Sequence, residues 1–414
     1  MRHDIRIGGG SSRYPPIAYQ LEHTLAHLQE EHGPSHNEFN VQFVTYRSEL
    51  DGGCQRYLLV TPDKIDRSKR YPLVIIVRPQ VVNHHRFFTS PQFAHQWTTN
   101  IIQSLANRHQ FIVMMPEARM YGDEDLTPMA EAEMLLAMED VRCHYPVDAK
   151  RIYLHGICSG GYRALKMAAL HPDLFAAVGT YTPTYQQAPA NEWEERRSLP
   201  NLLQRLRHIP ILLFADPLDR HTPPERYADL IADCRRFGLP LTLQQKKYTE
   251  LLYNAVVAGE EAFDFFDGKV KKEAETEAVG QYADAPAIVD LYGQPFVYVY
   301  DPHNHSKSYH KVVERMRKDY EDYMDSPFPL VADHDVTEEL MQQKNLFLIG
   351  EDWHTPLLHH LVEQAKTECP QSDVCLSVHR HSHYRQRLFV LFHFGSRSGR
   401  MLLHPWIDGT ESKL

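Results

Sequence analysis

The chain has 414 residues, 43% hydrophobic and 24% charged, with a formal net charge of -10. That is ordinary for a globular protein of roughly two or three domains, and the acidic balance argues against nucleic acid as a partner. No run approaches the ~18 to 20 apolar residues of a membrane span, and the six cysteines, at 54, 143, 158, 234, 369 and 375, form no CxxC pair, so neither a disulfide framework nor a zinc ribbon is expected.

Residues 1–40 read as a helical appendage, because Ile17, Leu21, Leu25 and Leu28 fall at helical spacing and Gly33-Pro34 ends the pattern. The opening "MRHDIRIGGGSSRYPP" has no apolar core of leader length, so the reading is a cytoplasmic chain with reduced thiols. A new pattern starts near Asn40. "FNVQFVTYRSELDGGCQRYLLVTP" alternates and turns at Asp51-Gly52-Gly53, as a hairpin does. "YPLVIIVRPQ" is a continuous apolar run, the mark of a strand buried on both faces. An amphipathic helix, "FAHQWTTNIIQSLANRHQ", precedes a second buried strand, "FIVMMPEARMYGD". The helix "EAEMLLAMEDVRCHYPVD", the strand and turn "RIYLHGICSGG" and the helix "YRALKMAALHP" follow, and then the strands "FAAVGTYTP", "IPILLFADPLDRHTPP" and "LPLTLQQKKY". Strand and helix alternate, so residues 41–280 are expected to form a doubly wound, mostly parallel α/β sheet.

A charged, alanine-rich stretch up to about residue 285 suggests a boundary, and the alternation then restarts. "PFVYVYD", "FPLVADHD", "NLFLIG", "VCLSVHRH" and "RLFVLFHFG" read as strands, and "KSYHKVVERMRKDYEDYM", "VTEELMQQ" and "TPLLHHLVEQ" as helices. Residues 281–414 are therefore expected to be a smaller C-terminal α/β unit. His379, His381 and His383 alternate, but in a chain with 26 histidines this stretch reads as a polar hairpin loop, and no metal or cofactor is expected.

The chemistry centres on "LHGICSGG". In a nucleophile elbow, G-x-Nuc-x-G, glycines two before and two after leave room for a strained nucleophile. Gly156 and Gly160 bracket Cys158, whereas Ser159 would stand between Ile157 and Gly161. Cys158 is the candidate nucleophile, and Ser159 supplies a backbone N–H to an oxyanion hole. The plainer reading makes Cys158 a small inert residue on a tight turn. "SELDGGCQRYLLVTPDKIDRSKRYPLVIIV", "EAEMLLAMEDVRCHYPVDAKRIYLHGICSGGYRALKMAALHPDLFAAVG" and "IPILLFADPLDRHTPPERYADLIADCRRFGLP" resemble the prolyl-oligopeptidase-like and polyhydroxybutyrate-depolymerase-like esterases of the α/β-hydrolase superfamily, over about residues 44–245. Residues of about 290–365 resemble an extra C-terminal α/β segment found behind some bacterial members, with "PLVADHDVTEELMQQKNLFLIG" carrying that similarity. The resemblance implies an α/β-hydrolase fold and an ester, thioester or peptide-like acyl substrate.

Family members carry serine where this chain has Cys158, although the dienelactone hydrolases, similar in fold, use cysteine. The resemblance puts the acid at Asp219, with Asp216 as the fallback, while an Asp before Pro223 also suits a turn or helix cap. It places the catalytic histidine in "LPLTLQQKKYTELLYNAVVAGEEAFDFF", which contains none. His303 is the base candidate, since it and His305 follow a strand at the end where α/β sites form; His221 lies in the acid loop, and His155 is in the strand and points away from the mouth. The oxyanion-side His-Gly is here Arg78-Pro79, so Gln80 has to supply a second donor. Arg78, Arg119 and Tyr121 are expected near the mouth, where they suit an acidic substrate. The expected function is a hydrolase or acyltransferase working through a Cys158 acyl-enzyme on a small-molecule or peptide substrate; the alternative is an inactive hydrolase-fold protein that binds a ligand or partner. Oligomeric state is left open.

Overall fold

The computed structural model describes residues 41–78, 102–119, 126–185, 197–217, 219, 222–245, 253–272, 292–324, 326–349, 355–360 and 389–392. The expected helix at 17–32, Gln80, Tyr121, His221 and the histidines at 379, 381 and 383 lie outside them.

The first sheet has eight strands: β1 (Val41–Arg47), β2 (Cys54–Val60), β3 (Tyr71–Val77), β4 (Ile112–Pro116), β5 (Val147–Ile157), β6 (Ala177–Tyr181), β7 (Ile211–Ala215) and β8 (Leu241–Gln245). Their spatial order is β1-β2-β4-β3-β5-β6-β7-β8. The first two strands form a hairpin, β2 lies antiparallel to β4, and every later pairing is parallel. This order, with its single antiparallel second strand and the crossover of β3 and β4, is that of the α/β-hydrolase fold.

Five of the helices cover this sheet: α1 (Gln103–His109), α2 (Pro128–His144), α3 (Ser159–Leu170), α4 (Ala228–Arg236) and α5 (Tyr253–Phe266). Strand β3 shows why its run is apolar throughout. Leu73, Ile75 and Val77 enter one core with Ala137, Leu165 and Leu230 from α2, α3 and α4. Val74 and Ile76 enter the opposite core with Leu105 from α1 and Phe263 from α5. Side chains alternate across a strand, so a strand covered on both faces has no polar position to spare. Each such side chain, fully buried, contributes roughly 1.5 to 3 kcal/mol.

The second sheet has four parallel strands in the order β10-β9-β11-β12, with β9 at Phe296–Tyr300, β10 at Leu330–Ala332, β11 at Asn345–Ile349 and β12 at Phe389–Phe392. Helices α6 (Lys307–Met324) and α7 (Glu338–Gln343) connect its strands. It packs against the β1–β2 turn and the start of α2, where Leu50 and Met129 join a cluster with Tyr292, Phe296, Tyr298 and Phe347. Phe296 N–H donates to the Leu50 carbonyl at 2.8 Å. The β1–β2 turn lies at the same end of the large sheet as the C-terminus of β4, because Tyr57 pairs with Pro116 and Arg47 with Cys54. The smaller sheet therefore stands at the edge of the end where the parallel strands finish.

A buried ionic cluster joins the parts at that edge. Arg119, just after β4, donates to Asp51 Oδ1 at 2.7 Å and to Glu133 Oε1 at 2.8 Å. Ser48 donates to Glu133 at 2.6 Å, and Tyr320 of α6 donates to Asp51 Oδ2 at 2.5 Å. Burial works against the Asp51 charge, but Arg119, Tyr320 and the Gly53 amide outweigh it and hold the carboxyl below its ordinary range.

Among the described residues no helix is long and apolar enough to cross a membrane.

Candidate active site

The turn after β5 has the geometry its glycines require. Cys158 has φ 54° and ψ -123°, a conformation that a non-glycine residue adopts only under strain of order 1 to 3 kcal/mol. The surroundings fix it. Cys158 N–H donates to the Tyr181 carbonyl at 2.9 Å, and its carbonyl accepts from Gly161 at 2.9 Å and Tyr162 at 3.2 Å in the first turn of α3. A Cβ on Gly156 would stand 2.2 Å from the Gly160 carbonyl oxygen, and one on Gly160 would stand 2.3 Å from the Val77 carbonyl oxygen. Both neighbours are backbone, so the spacing G-x-C-x-G is a steric condition for α3 to start this close to β3 and β5.

The two nucleophilic side chains in the turn have different surroundings. Cys158 is half-buried and keeps a face to solvent, whereas Ser159 is 1% exposed. Cys158 also stands at the N-cap of α3. Ser159 is the first residue of α3, so its amide lies at the helix N-terminus beside Cys158.

Among the described residues, the polar group at the sulfur is a hydroxyl. Thr222 Oγ1 lies 3.2 Å from Cys158 Sγ, and Thr222 is itself 1% exposed. Its backbone N–H donates to Asp219 Oδ1 at 3.0 Å, and Asp219 Oδ2 accepts from Thr182 Oγ1 at 2.9 Å. Thr182 follows β6 with φ 37° and donates its N–H to Phe214 of β7 at 2.9 Å. Asp219 thus ties the loop after β7 to the loop after β6 and sets Thr222 against Cys158. Asp216, the fallback acid, is buried and accepts from Tyr181 Oη at 2.8 Å. Tyr227, whose hydroxyl donates to the Asp216 carbonyl at 3.3 Å, has its phenol pushed up to about 12 by burial and then by the negative charge of Asp216 and Asp219.

The structure brings Cys158, Ser159 and Asp219 to one end of the sheet, with Thr222 between the first and the last. The sequence does not single out Thr222 as a site residue. Its one signal is its place three residues after Asp219, an offset at which a capping Asp carboxylate accepts a backbone N–H.

Other expected residues have different places. Arg119 does not face the mouth as a substrate cation: it is 3% exposed and its guanidinium is committed to Asp51 and Glu133. Arg78 follows β3 with its backbone against Gly160, and its buried guanidinium donates to the Glu117 carbonyl at 3.5 Å. His303 makes no hydrogen bond to Cys158. Strand β9 starts at the Leu50 contact and runs on for four residues to Tyr300, about 13 Å at the rise of a strand. His303 lies past that far end, exposed, with its ring against His334 at 5.9 Å between centroids. His155 is in β5, packed against Phe266, and burial holds its imidazole down at about 4. Among the described residues no histidine is hydrogen-bonded to the Cys158 sulfur, and no three His, Cys, Asp or Glu side chains are grouped to hold a metal ion.

No family model matches the chain, and no curated protein matches it. Among solved structures it is similar to a fluorophosphonate-binding serine hydrolase of Staphylococcus aureus, at 15% identity and a TM-score of 0.45 over 57% of this chain and all of that one. It is similar to an S-formylglutathione hydrolase of Agrobacterium tumefaciens, at 15% identity and a TM-score of 0.44 over 56% of this chain and 96% of that one. A ferulic acid esterase of Anaeromyces mucronatus gives 16% identity and a TM-score of 0.44 over 55% and 90%. The class defined by strand order and elbow is the α/β-hydrolase fold.

Proposed function

We propose that the protein is an acyl-processing enzyme in which Cys158 is the nucleophile. The observation that carries this reading is the Cys158 backbone, held at φ 54° and ψ -123° with the side chain half-buried at the mouth, where a structural cysteine gains nothing from the strain. Cys158 attacks the carbonyl of an ester, thioester or peptide-like substrate, and the Ser159 N–H donates to the developing oxyanion, with Gln80 as the second proposed donor. The leaving group departs and an acyl-cysteine remains, which passes to water or to another acceptor. Asp219 acts by holding Thr222 and Thr182 in place.

An activated ester such as p-nitrophenyl acetate tests the reading. The expected result is a mass increase of one acetyl group on the peptide carrying Cys158, and loss of both the adduct and turnover in Cys158→Ala. If the adduct forms on Cys54 or Cys143 and turnover survives Cys158→Ala, the elbow is not catalytic, and the chain is a hydrolase-fold binding protein.

A further inference from the structure

We infer that Thr222 is the working partner of Cys158, its hydroxyl donating to the sulfur from the position at the nucleophile that an imidazole fills in a serine–histidine site. The inference rests on the reading of Cys158 as nucleophile and names the group that acts on it.

Three observations carry it. The Oγ1–Sγ distance of 3.2 Å is a hydrogen bond to sulfur, and both groups sit where strand ends converge. Thr222 is 1% exposed, so bulk water does not compete for its hydroxyl. The residue is anchored by a chain of bonds: Thr222 N–H to Asp219 Oδ1 at 3.0 Å, Thr182 Oγ1 to Asp219 Oδ2 at 2.9 Å, and Thr184 N–H to the Cys158 carbonyl at 3.3 Å. The loop that carries the acid is thereby locked to the loop beside the elbow. In an Asp-His-nucleophile site the carboxylate orients an imidazole; here the carboxylate orients the backbone of a threonine.

The chemistry of a hydroxyl decides what such a partner does. A threonine does not take up a proton near neutral pH, so it cannot be the base that an imidazole is. It donates, and a hydrogen bond to an anion is worth about twice one between neutral groups. The contact therefore favours the sulfur anion over the thiol. The thiol proton leaves to solvent before attack, and the balance is Cys158–S⁻ plus R–CO–X plus H⁺ giving Cys158–S–CO–R plus HX. The S–C bond forms, the C–X bond breaks, and the leaving group takes its proton from water.

Iodoacetamide reads this without a known substrate. The alkylation rate of Cys158 is followed by peptide mass spectrometry from pH 5 to 10, with exposed Cys54 as the internal clock, in the natural protein, Thr222→Val and Thr222→Ser. Valine keeps the shape and removes the donor; serine restores the donor. The natural protein is expected to rise through a single ionisation. Thr222→Val is expected to react roughly tenfold more slowly at pH 7, the fold-change of one lost charge-assisted hydrogen bond. Thr222→Ser is expected to return to within about threefold of the natural rate. A Thr222→Val curve that overlays the natural one overturns the inference, as does an equal loss in both variants, which marks a packing role. A second ionisation in the natural curve near the ordinary histidine value of about 6.5 also overturns it, because an imidazole is then the partner. If Cys158 reacts no faster than Cys54 in the natural protein, the nucleophile reading itself fails and takes this inference with it.

Discussion

Gly160→Ala is expected to destabilise the protein by about 3 kcal/mol, and the magnitude follows from what the added methyl meets. Its carbon would lie 2.3 Å from the Val77 carbonyl oxygen, 2.7 Å from the Arg78 oxygen and 2.8 Å from the Arg78 carbonyl carbon, where ordinary contact starts at 3.4 Å. All three are backbone atoms at the end of β3, so no rotamer change relieves the clash. About 1 Å of separation has to open between the start of α3 and the strand it packs on, and overpacking of this kind typically costs 1 to 3 kcal/mol. The upper end applies because the Cys158 backbone bonds on the other side of the elbow resist the movement. For a domain of this size the loss corresponds to a fall in Tm of roughly 6 to 12 °C, read by calorimetry. The same variant is expected to slow alkylation of Cys158, since the displaced turn no longer presents the sulfur. A Tm within about 2 °C of the natural protein refutes the reasoning, because the helix and strand then do not approach as closely as the elbow geometry requires.

Arg119→Met leaves the buried carboxylates of Asp51 and Glu133 without their cation, and a loss of about 3 kcal/mol is expected in urea unfolding. The estimate is at the lower end for a broken buried pair because Ser48 and Tyr320 still donate to the two carboxylates. His155 gives a pH dependence of known sign. Its folded value of about 4 lies below the unfolded value near 6.5, so the unfolded chain binds the extra proton. Its contribution is therefore full above about pH 6.5 and is lost as pH falls toward 4, and His155→Leu is expected to flatten that part of a stability–pH curve. Acylation by p-nitrophenyl acetate is expected to release a burst of about one nitrophenolate per chain in stopped-flow absorbance, followed by slower turnover, because the Thr222 hydroxyl supplies no base for water; a linear trace from time zero contradicts this.

The large sheet was readable because its signals are local. The run "YPLVIIV" has no polar position, and that alone marks a strand covered on both faces, as β3 is. The Asp51-Gly52-Gly53 turn set the β1–β2 hairpin, and the helix expected from "KSYHKVVERMRKDYEDYM" is α6 from end to end. The elbow was readable because steric exclusion is written in the glycine spacing. What surrounds it was not. Arg119 meets Asp51 across 68 positions and Tyr320 meets the same carboxylate across 269, and no local pattern marks a pair that the fold brings together. His303 follows a strand end, which is correct as a rule about sheets, but β9 belongs to the second sheet and its carboxyl end faces away from the Leu50 contact. Thr222 carries no motif of its own. Its hydroxyl matters only because Asp219 fixes the turn that delivers it to a sulfur 64 positions earlier.

The most direct measurement of the central claim is the relative rate at which iodoacetamide alkylates the four described cysteines at pH 7. Cys54 and Cys143 are exposed, Cys158 is half-buried, and Cys234 is buried with its thiol pushed up to about 12 by burial. Exposure alone ranks Cys54 and Cys143 first. A nucleophile held on the elbow, above a helix N-terminus and beside the Thr222 hydroxyl, ranks Cys158 first by at least about tenfold despite its lower exposure. A Cys158 rate equal to or below that of Cys54 contradicts the account.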